Sequence, residues 1–380
     1  MKIAMLVSDS REVVRRYSDP DPYFGQAVTA LLQGLEGLPG CEIHIVCATQ
    51  KPLRSPEKVA ENIFYHSVVV PKWGWMRGGY IGCVRTIWKK LREIKPDVVH
   101  GQGTERDCAL SAVFSGFPNV LTIHGNMRLI AKINRARPFS FAWLAARLER
   151  LTLPRTNGVI CISTYTRQNV AGLVSATWLV PNAADKAFFD VSRNPAPQKC
   201  LLCLGHITPR KNQIKLINAL EPLSANQQFE VLFHGGAVSG DPYVNAFLKL
   251  VKERSWCRFG GTLDSSGVRA ALAEATMLVL PSLEDNCPMV VLEAMAAGVP
   301  VAASKVGGIP DLITDGVDGV LFDPSDIDSI RAAVASVVSN SAEAERMARA
   351  AKVKALHYFH PQVIARRHLE IYREVLDNIS

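Results

Sequence analysis

The sequence predicts an α/β protein of two doubly wound domains, each a parallel sheet covered by helices. Three observations predict it. Short apolar strand-like runs alternate with helix-periodic segments from the first residues onward. A length of 380 residues, with 48% apolar and 21% charged side chains, suits two domains that each bury a core. Finally, residues 276–303 spell out a complete strand, loop, helix, strand unit, the building block of a parallel sheet.

In chain order, Lys2 to Val7 reads as a strand, Gly25 to Leu35 as a helix and Glu42 to Ala48 as a strand. The intervening segment, Ser8 to Phe24, is rich in Asp, Pro and Arg and reads as a long loop of the functional or mobile kind. Asp97 to Gly101 and Val120 to Gly125 each run from apolar strand into loop, which places His100 and His124 at the carboxyl edge of the sheet. Gly158 to Ile162 is a further strand, and Ser163 or Thr164 is suited to cap the helix that follows it, which carries Arg167. Val180 to Asp185 closes the first domain, and Asp190 to Lys199 has linker composition.

The second domain opens with the strand Cys200 to Leu204. Gly205-His206-Ile207-Thr208-Pro209-Arg210-Lys211-Asn212 then leads into a helix from about Gln213. Two adjacent cations stand there beside a helix N-terminus, which itself favours anions. Val231 to Gly236 is another strand, ending in a histidine and two glycines, and Arg258 to Gly261 suits a loop at the same edge. Thr276 to Leu280 is a buried strand stopped by Pro281, Pro288 to Ala297 a helix closed by Gly298, and Pro300 to Ala303 the next strand. Asp285 falls at the mouth of that helix and Glu293 on it. Eight helical residues separate carboxylates by roughly 12 Å, beyond the about 5 to 9.5 Å that paired acid/base work on one bond needs. Two acids at opposite ends of an extended, many-hydroxylated ligand fit the spacing, and a nucleotide sugar is such a ligand. The chain ends in an amphipathic helix, about Pro361 to Asn378, with Val363, Ile364, Leu369, Tyr372 and Leu376 as its apolar positions.

Composition excludes several classes. The MKIAMLV run is too short for a signal peptide's central region, and no stretch reaches the 18 apolar residues of a membrane span. The nine scattered cysteines favour reduced thiols in the cytoplasm, and Cys200 and Cys203 would face opposite sides of a strand. Nothing points to nucleic acid. Residues 1–185 carry 23 Lys and Arg against 14 Asp and Glu, the remainder 20 against 21, so the whole +8 excess belongs to the first half. It concentrates in Arg77 to Lys95 and Arg128 to Arg150, which are helix-like and include aromatics. Such helices suit an anionic membrane surface or an anionic substrate, and equally a solvated face.

Asp285, seven residues, Glu293, then AMAAGVPV resembles the donor-site signature of the retaining glycosyltransferases of the GT-B fold, glycosyltransferase family 4 (group 1). There the pattern is Glu, seven residues, Glu, then Ala-Met-Ala-x-Gly-x-Pro-Val. The resemblance implies two Rossmann-like domains facing a central cleft: residues 1–185 on the acceptor side, 186–358 for the donor, and 359–380 a helix that packs back on the first domain. It implies catalytic roles for His124, Asp285 and Lys211. Gly205, His206, Arg210 and Lys211 would grip the donor diphosphate; Glu293 would hold the ribose hydroxyls, and Asp285 with Asn286, Cys287 and Met289 the transferred sugar. Gly25, His100, Ser163 and Arg167 match positions near the acceptor or cleft. The chain departs from the pattern in three places: Asp285 is one methylene short, His206 replaces an arginine, and Gly25 alone remains of a glycine pair.

The implied activity is transfer of a sugar from a nucleoside-diphosphate sugar to an acceptor hydroxyl with retention, in cell-surface polysaccharide or glycolipid synthesis. The implied partners are the donor and a glycan or lipid-linked glycan acceptor, in the cytoplasm or at the inner membrane face. No cofactor is expected. No metal is expected either, since Asp19/Asp21 lie beside prolines and Asp326/Asp328 stand where capping explains them. Three rivals remain: a sugar-nucleotide epimerase of the same shape, a glycan phosphorylase, for whose pyridoxal phosphate no lysine motif stands out, and a non-catalytic sugar binder, which would normally be exported.

Overall fold

The computed structural model describes residues 1–133, 135–225 and 228–379. It divides into two units, Met1–Ala183 with Pro361–Ser380, and Ala184–His360. Unit 1 holds the strands β1 (Lys2–Leu6), β2 (Glu42–Thr49), β3 (Lys58–Ala60), β4 (Ile63–Val69), β5 (Val98–Gln102), β6 (Asn119–Ile123), β7 (Val159–Cys161) and β8 (Thr177–Leu179). They form one sheet in the order β3-β4-β2-β1-β5-β6-β7-β8, parallel except where β3 runs against β4. Unit 2 holds β9 (Lys199–Leu204), β10 (Phe229–His234), β11 (Cys257–Phe259), β12 (Met277–Leu280), β13 (Val301–Ser304) and β14 (Val320–Phe322). Its order is β11-β10-β9-β12-β13-β14, parallel throughout.

Strands covered on both faces are apolar nearly end to end, and side-chain alternation splits them between two layers. Ile3 and Met5 of β1 pack into one cluster, while Ala4 and Leu6 pack into the other. In unit 2 the same alternation sends Leu201 and Cys203 of β9 into a core with Phe233, Met277 and Val279. Cys200 stays half-buried, and all nine cysteines are free thiols.

The predicted βα unit is present with shifted bounds. The helix is Met289–Ala297, with Pro288 as its N-cap and Gly298 at φ 70° as its C-cap. The hydrophobic pattern of that helix has almost no polar face, because seven of its residues, from Val291 to Ala297, are buried. The final helix, Pro361–Asp377, belongs to unit 1. Ile364, Leu369 and Tyr372 are buried there as expected, and Ile371 and Val375 join them. Val363 faces outward instead, because it is offset from that stripe. Gly34 makes this packing feasible, since a Cβ on it would lie 2.0 Å from the Pro361 carbonyl oxygen.

Residues 8–24 are not the open loop that their composition suggests. Asp9 caps a short helix, Ser10–Val14, and pairs with the buried Arg11 at 2.8 Å. Arg11 also donates to the Asp19 carbonyl, Ser55 Oγ and Tyr65 Oη, and Tyr65 Oη donates to Asp9 Oδ2 at 2.8 Å. A buried guanidinium is tolerable only with such a complete set of acceptors, and here the set fastens the segment to the sheet.

Candidate active site

In a doubly wound sheet, ligands gather at the carboxyl ends of the strands where the strand order reverses. In unit 2 that point lies between β9 and β12, since β10 and β11 lie to one side of β9 and β12 to β14 to the other. The loops leaving these two strands meet. Lys211 Nζ lies 2.5 Å from Asp285 Oδ2, and Ser282 Oγ donates to the same oxygen at 3.0 Å. Arg210 donates to the Glu284 carbonyl at 2.8 Å and stands 3.8 Å from Asp285 Oδ1, and Leu283 N donates back to the Arg210 carbonyl. Lys211 and Asp285 are each about one-eighth exposed, 13% and 12% by side chain, so their charges are shielded without being sealed off.

Each loop has a local cause. After β9, Gly205 N is held by the His234 carbonyl, and the aliphatic stem of Lys211 runs over the Gly205 Cα. A 3-10 turn, Pro209–Lys211, and Asn212 at φ 59° turn the chain into the helix Gln213–Ser224. His206 is exposed, its ring lying over Gly236. After β12, the loop is backed by Gly307-Gly308: Gly308 N donates to the Asp285 carbonyl at 3.0 Å. Gly307, at φ 57°, admits no Cβ, which would lie 1.8 Å from that carbonyl oxygen. Asn286 and Cys287 are buried beside it, and the helix Met289–Ala297 begins without a side-chain cap.

Glu293 sits on that helix, 1% exposed. Its Oε2 is buried without a hydrogen-bond partner. Burial, reinforced by the charge of Asp185, pushes its carboxyl up to about 7. A buried carboxylate oxygen left unmatched is expensive, and it is the kind of group that a ligand hydroxyl satisfies.

Unit 1 sorts the predicted residues differently. His124 is half-buried at the end of β6, with Nε2 2.9 Å from Gln102 Oε1, and burial pushes its imidazole down to about 4. It lines a small cavity with Gln102, Thr122 and His368. His100 has no exposure at all: Nδ1 lies 2.6 Å from Tyr372 Oη and Nε2 2.7 Å from Thr122 Oγ1. Both ring nitrogens are engaged, so the edge position that suggested a cleft residue instead ties β5 to the final helix. Ser163 is buried and caps the helix Thr164–Val170 by accepting from Thr166 N, while Arg167 is exposed on that helix. Gly25 is exposed at the start of the helix Gln26–Leu35. His234, another strand-end histidine, is fixed by the Gly261 carbonyl at 3.1 Å. Asp326 is engaged as the cap of the helix Ile327–Ser339, and Asp328 pairs with Arg331. Among the described residues, no three or more His, Cys, Asp or Glu are grouped to hold a metal ion.

Sequence reading missed Ser282 and Glu284, which complete the Lys211 and Arg210 contacts, and Glu149. Glu149 is fully buried and accepts from Thr104 Oγ1, Met127 N and Arg128 Nε, so it fixes the turn that follows His124. A serine three residues before Asp285 was a legible signal for the first. Nothing local marks Glu149, which lies amid a basic helix and reaches back some twenty residues.

The profile described as glycosyl transferases group 1 matches residues 185–354, and that described as glycosyltransferase family 4 matches residues 25–188. The chain belongs to the group 1 and family 4 glycosyltransferases. Among its relatives, the alpha-maltose-1-phosphate synthase of Mycobacterium tuberculosis is 27% identical over 301 residues, 70% of this chain and 75% of its own. The glycogen synthase of the same organism is 28% identical over 297 residues, 75% of this chain and 71% of its own. Of solved structures, sucrose-phosphate synthase (tll1590) from Thermosynechococcus elongatus superposes with a TM-score of 0.75 at 18% identity over the full length of both. Anabaena Alr3699/HepE in complex with UDP-glucose gives 0.71 at 16% identity, covering 98% of this chain and 100% of its own. These likenesses establish the GT-B fold of this glycosyltransferase.

Proposed function

We propose that this glycosyltransferase moves a sugar from a nucleoside-diphosphate sugar to an acceptor hydroxyl with retention of anomeric configuration. The observation that carries the reading is the arrangement at the β9/β12 switch point: Lys211 held on Asp285, with Glu293 Oε2 unmatched on the helix that follows Asp285. Lys211, with Arg210, meets the diphosphate, whose charge grows as the bond from its oxygen to the anomeric carbon breaks. A preorganised cation at that oxygen lowers the barrier because no reorganisation is needed when the charge appears. Asp285 and the backbone of Asn286 to Met289 hold the transferred sugar, and Glu293 accepts from the ribose hydroxyls. His124 serves the sugar and acceptor side in unit 1. The acceptor oxygen bonds to the face that the diphosphate leaves, and the acceptor proton passes to the departing phosphate oxygen. No step in this scheme requires a metal.

The nucleoside diphosphate is supported by relatives of the same fold, one solved with UDP-glucose and another, starch synthase IV of Arabidopsis thaliana, with ADP and acarbose. The acceptor we infer is a glycan or lipid-linked glycan in cell-surface polysaccharide or glycolipid synthesis, met in the cytoplasm at the inner membrane face, which the basic first half would favour. The test is a panel of nucleotide sugars scored by protection against heat, followed by analysis of the product's anomeric configuration. Protection by none of them, or an inverted product, refutes the reading.

A further inference from the structure

In unit 1, the helices Met127–Ile133 and Phe141–Thr152 flank a cavity of ≈ 590 Å³ that none of the sites above uses. That size is ordinary for a small-molecule site. Trp143, Ala146, Arg147, Arg150 and Leu151 line it and recur at the spacing of one helix face, while Ala145, Leu148, Glu149 and Thr152 form the buried face of the same helix. Arg128, Ala131 and Lys132 line the opposite wall, and Arg155 closes one end.

Arg128 is already committed, with Nε 3.1 Å from Glu149 Oε1 and Nη2 2.5 Å from the Asn169 carbonyl. Among the described residues, Lys132, Arg147, Arg150 and Arg155 have no ion-pair partner, and Arg155 Nη1 donates to the Leu151 carbonyl at 2.7 Å. Arg147 is steadied over the Trp143 ring at 4.3 Å. Like charges around one space repel, and no acid lines this one: Glu149 turns to the far side, where Thr104 and the Met127 N–H hold it. A polyoxyanion would relieve the repulsion, and the planar forks of arginine match phosphate oxygens in pairs.

We propose that this groove binds a phosphate-bearing ligand, separately from the donor site. An aromatic side chain stands beside it: Phe139 is 87% exposed at φ 64°, with its ring 5.3 Å from the lining residue Trp143. An uncommon backbone conformation holding an aromatic ring in solvent beside cations suits the headgroup of an anionic lipid. A soluble phosphate would use the cations alone. The lipid source rests on the membrane reading above and the phosphate source does not.

The test uses the full chain in an Arg210→Gln/Lys211→Gln background, which removes both cations of the donor site. Arg147→Gln/Arg150→Gln is compared with its parent, and Lys132→Gln/Arg155→Gln repeats the comparison from the other walls should the first variant melt early. Two probes are used: calorimetric titration with inorganic pyrophosphate, and sedimentation with vesicles of phosphatidylglycerol in phosphatidylcholine. Removing two charges should weaken binding on the order of 25-fold. A loss confined to vesicles assigns the lipid headgroup, and a loss confined to pyrophosphate assigns a soluble phosphate and ends the membrane reading of this groove. Equal binding by parent and both variants, or no binding of either probe by the parent, overturns the proposal.

Discussion

The two units reverse strand order in the same way, between β1 and β5 in one and between β9 and β12 in the other, but they treat that crevice oppositely. In unit 1 the chain fills it with its own charges: Asp9 and Arg11 are buried against Tyr65, and the strand-end His100 is closed by Thr122 and Tyr372. In unit 2 the cation and acid that meet at the crevice stay partly exposed, and Glu293 keeps an oxygen unmatched. Buried polar groups that are fully paired fix a backbone, and those left unpaired hold a site open at the expense of stability. Under the proposed function, the second crevice is the one that takes the donor, while the chain closes the first with its own side chains.

The largest effect that tests this contrast is on catalysis. Lys211→Ala should cut turnover about a hundredfold, roughly 3 kcal/mol, while the unfolding free energy falls by much less. Steady-state kinetics beside a denaturant titration would show it, and near-normal turnover in the folded variant would remove the phosphate role. Asp285→Ala separates the two acids. It should spare binding of the free nucleoside diphosphate and abolish most transfer, whereas Glu293→Ala should weaken the nucleotide itself. Calorimetry with the diphosphate and with the intact donor decides between them.

Next in size is a pH effect of opposite sign in the two units. Burial raises the Glu293 carboxyl to about 7 in the folded chain, against an ordinary value of 4.5. Across that window the folded state keeps a proton that the unfolded state has lost, so its contribution falls as pH rises and levels off above 7. The total is about 3 kcal/mol, and Glu293→Gln should flatten this part of the stability profile. In unit 1, burial pushes His124 and His368 down to about 4 and His100 well below its ordinary value. The unfolded chain protonates near 6.5 while the folded one stays neutral, so unit 1 should lose stability as pH falls from about 6.5 to 4. Unfolding followed at several pH values, with and without Glu293→Gln, separates the two trends.

A smaller effect isolates architecture from chemistry. Tyr372→Phe removes the hydroxyl that His100 Nδ1 meets and should cost about 1 to 2 kcal/mol of stability, leaving nucleotide affinity unchanged. A matching loss of nucleotide affinity would show that His100 is more than a tie. Smallest of all, Arg167→Ala on an exposed helix face should shift stability by less than about 0.5 kcal/mol. A raised KM for the acceptor alone would give Arg167 the acceptor role that its position resembles.

The sequence by itself determined the elements that depend on neighbours in the chain. Residues 276–303 read as strand, loop, helix and strand because Pro281, Pro288 and Gly298 act within a few bonds of where they stand, and the Asp285, Glu293 spacing is a property of one segment. The final helix was legible for the same reason, apart from Val363, where small errors of phase move a side chain from core to surface. Tertiary structure alone decided what depends on long-range partners. That His100 is a tie follows from Tyr372, which lies 272 residues away and brings its hydroxyl to the His100 ring, whereas His124 lines a small cavity. That residues 8–24 are fastened follows from Ser55 and Tyr65, and the meeting of Lys211 with Asp285 follows from the strand order that sets β12 beside β9. Periodicity and capping are local energies and can be read along a chain. Pairing of buried charges is decided by which distant groups share the same low-dielectric space, and only the folded chain brings them there.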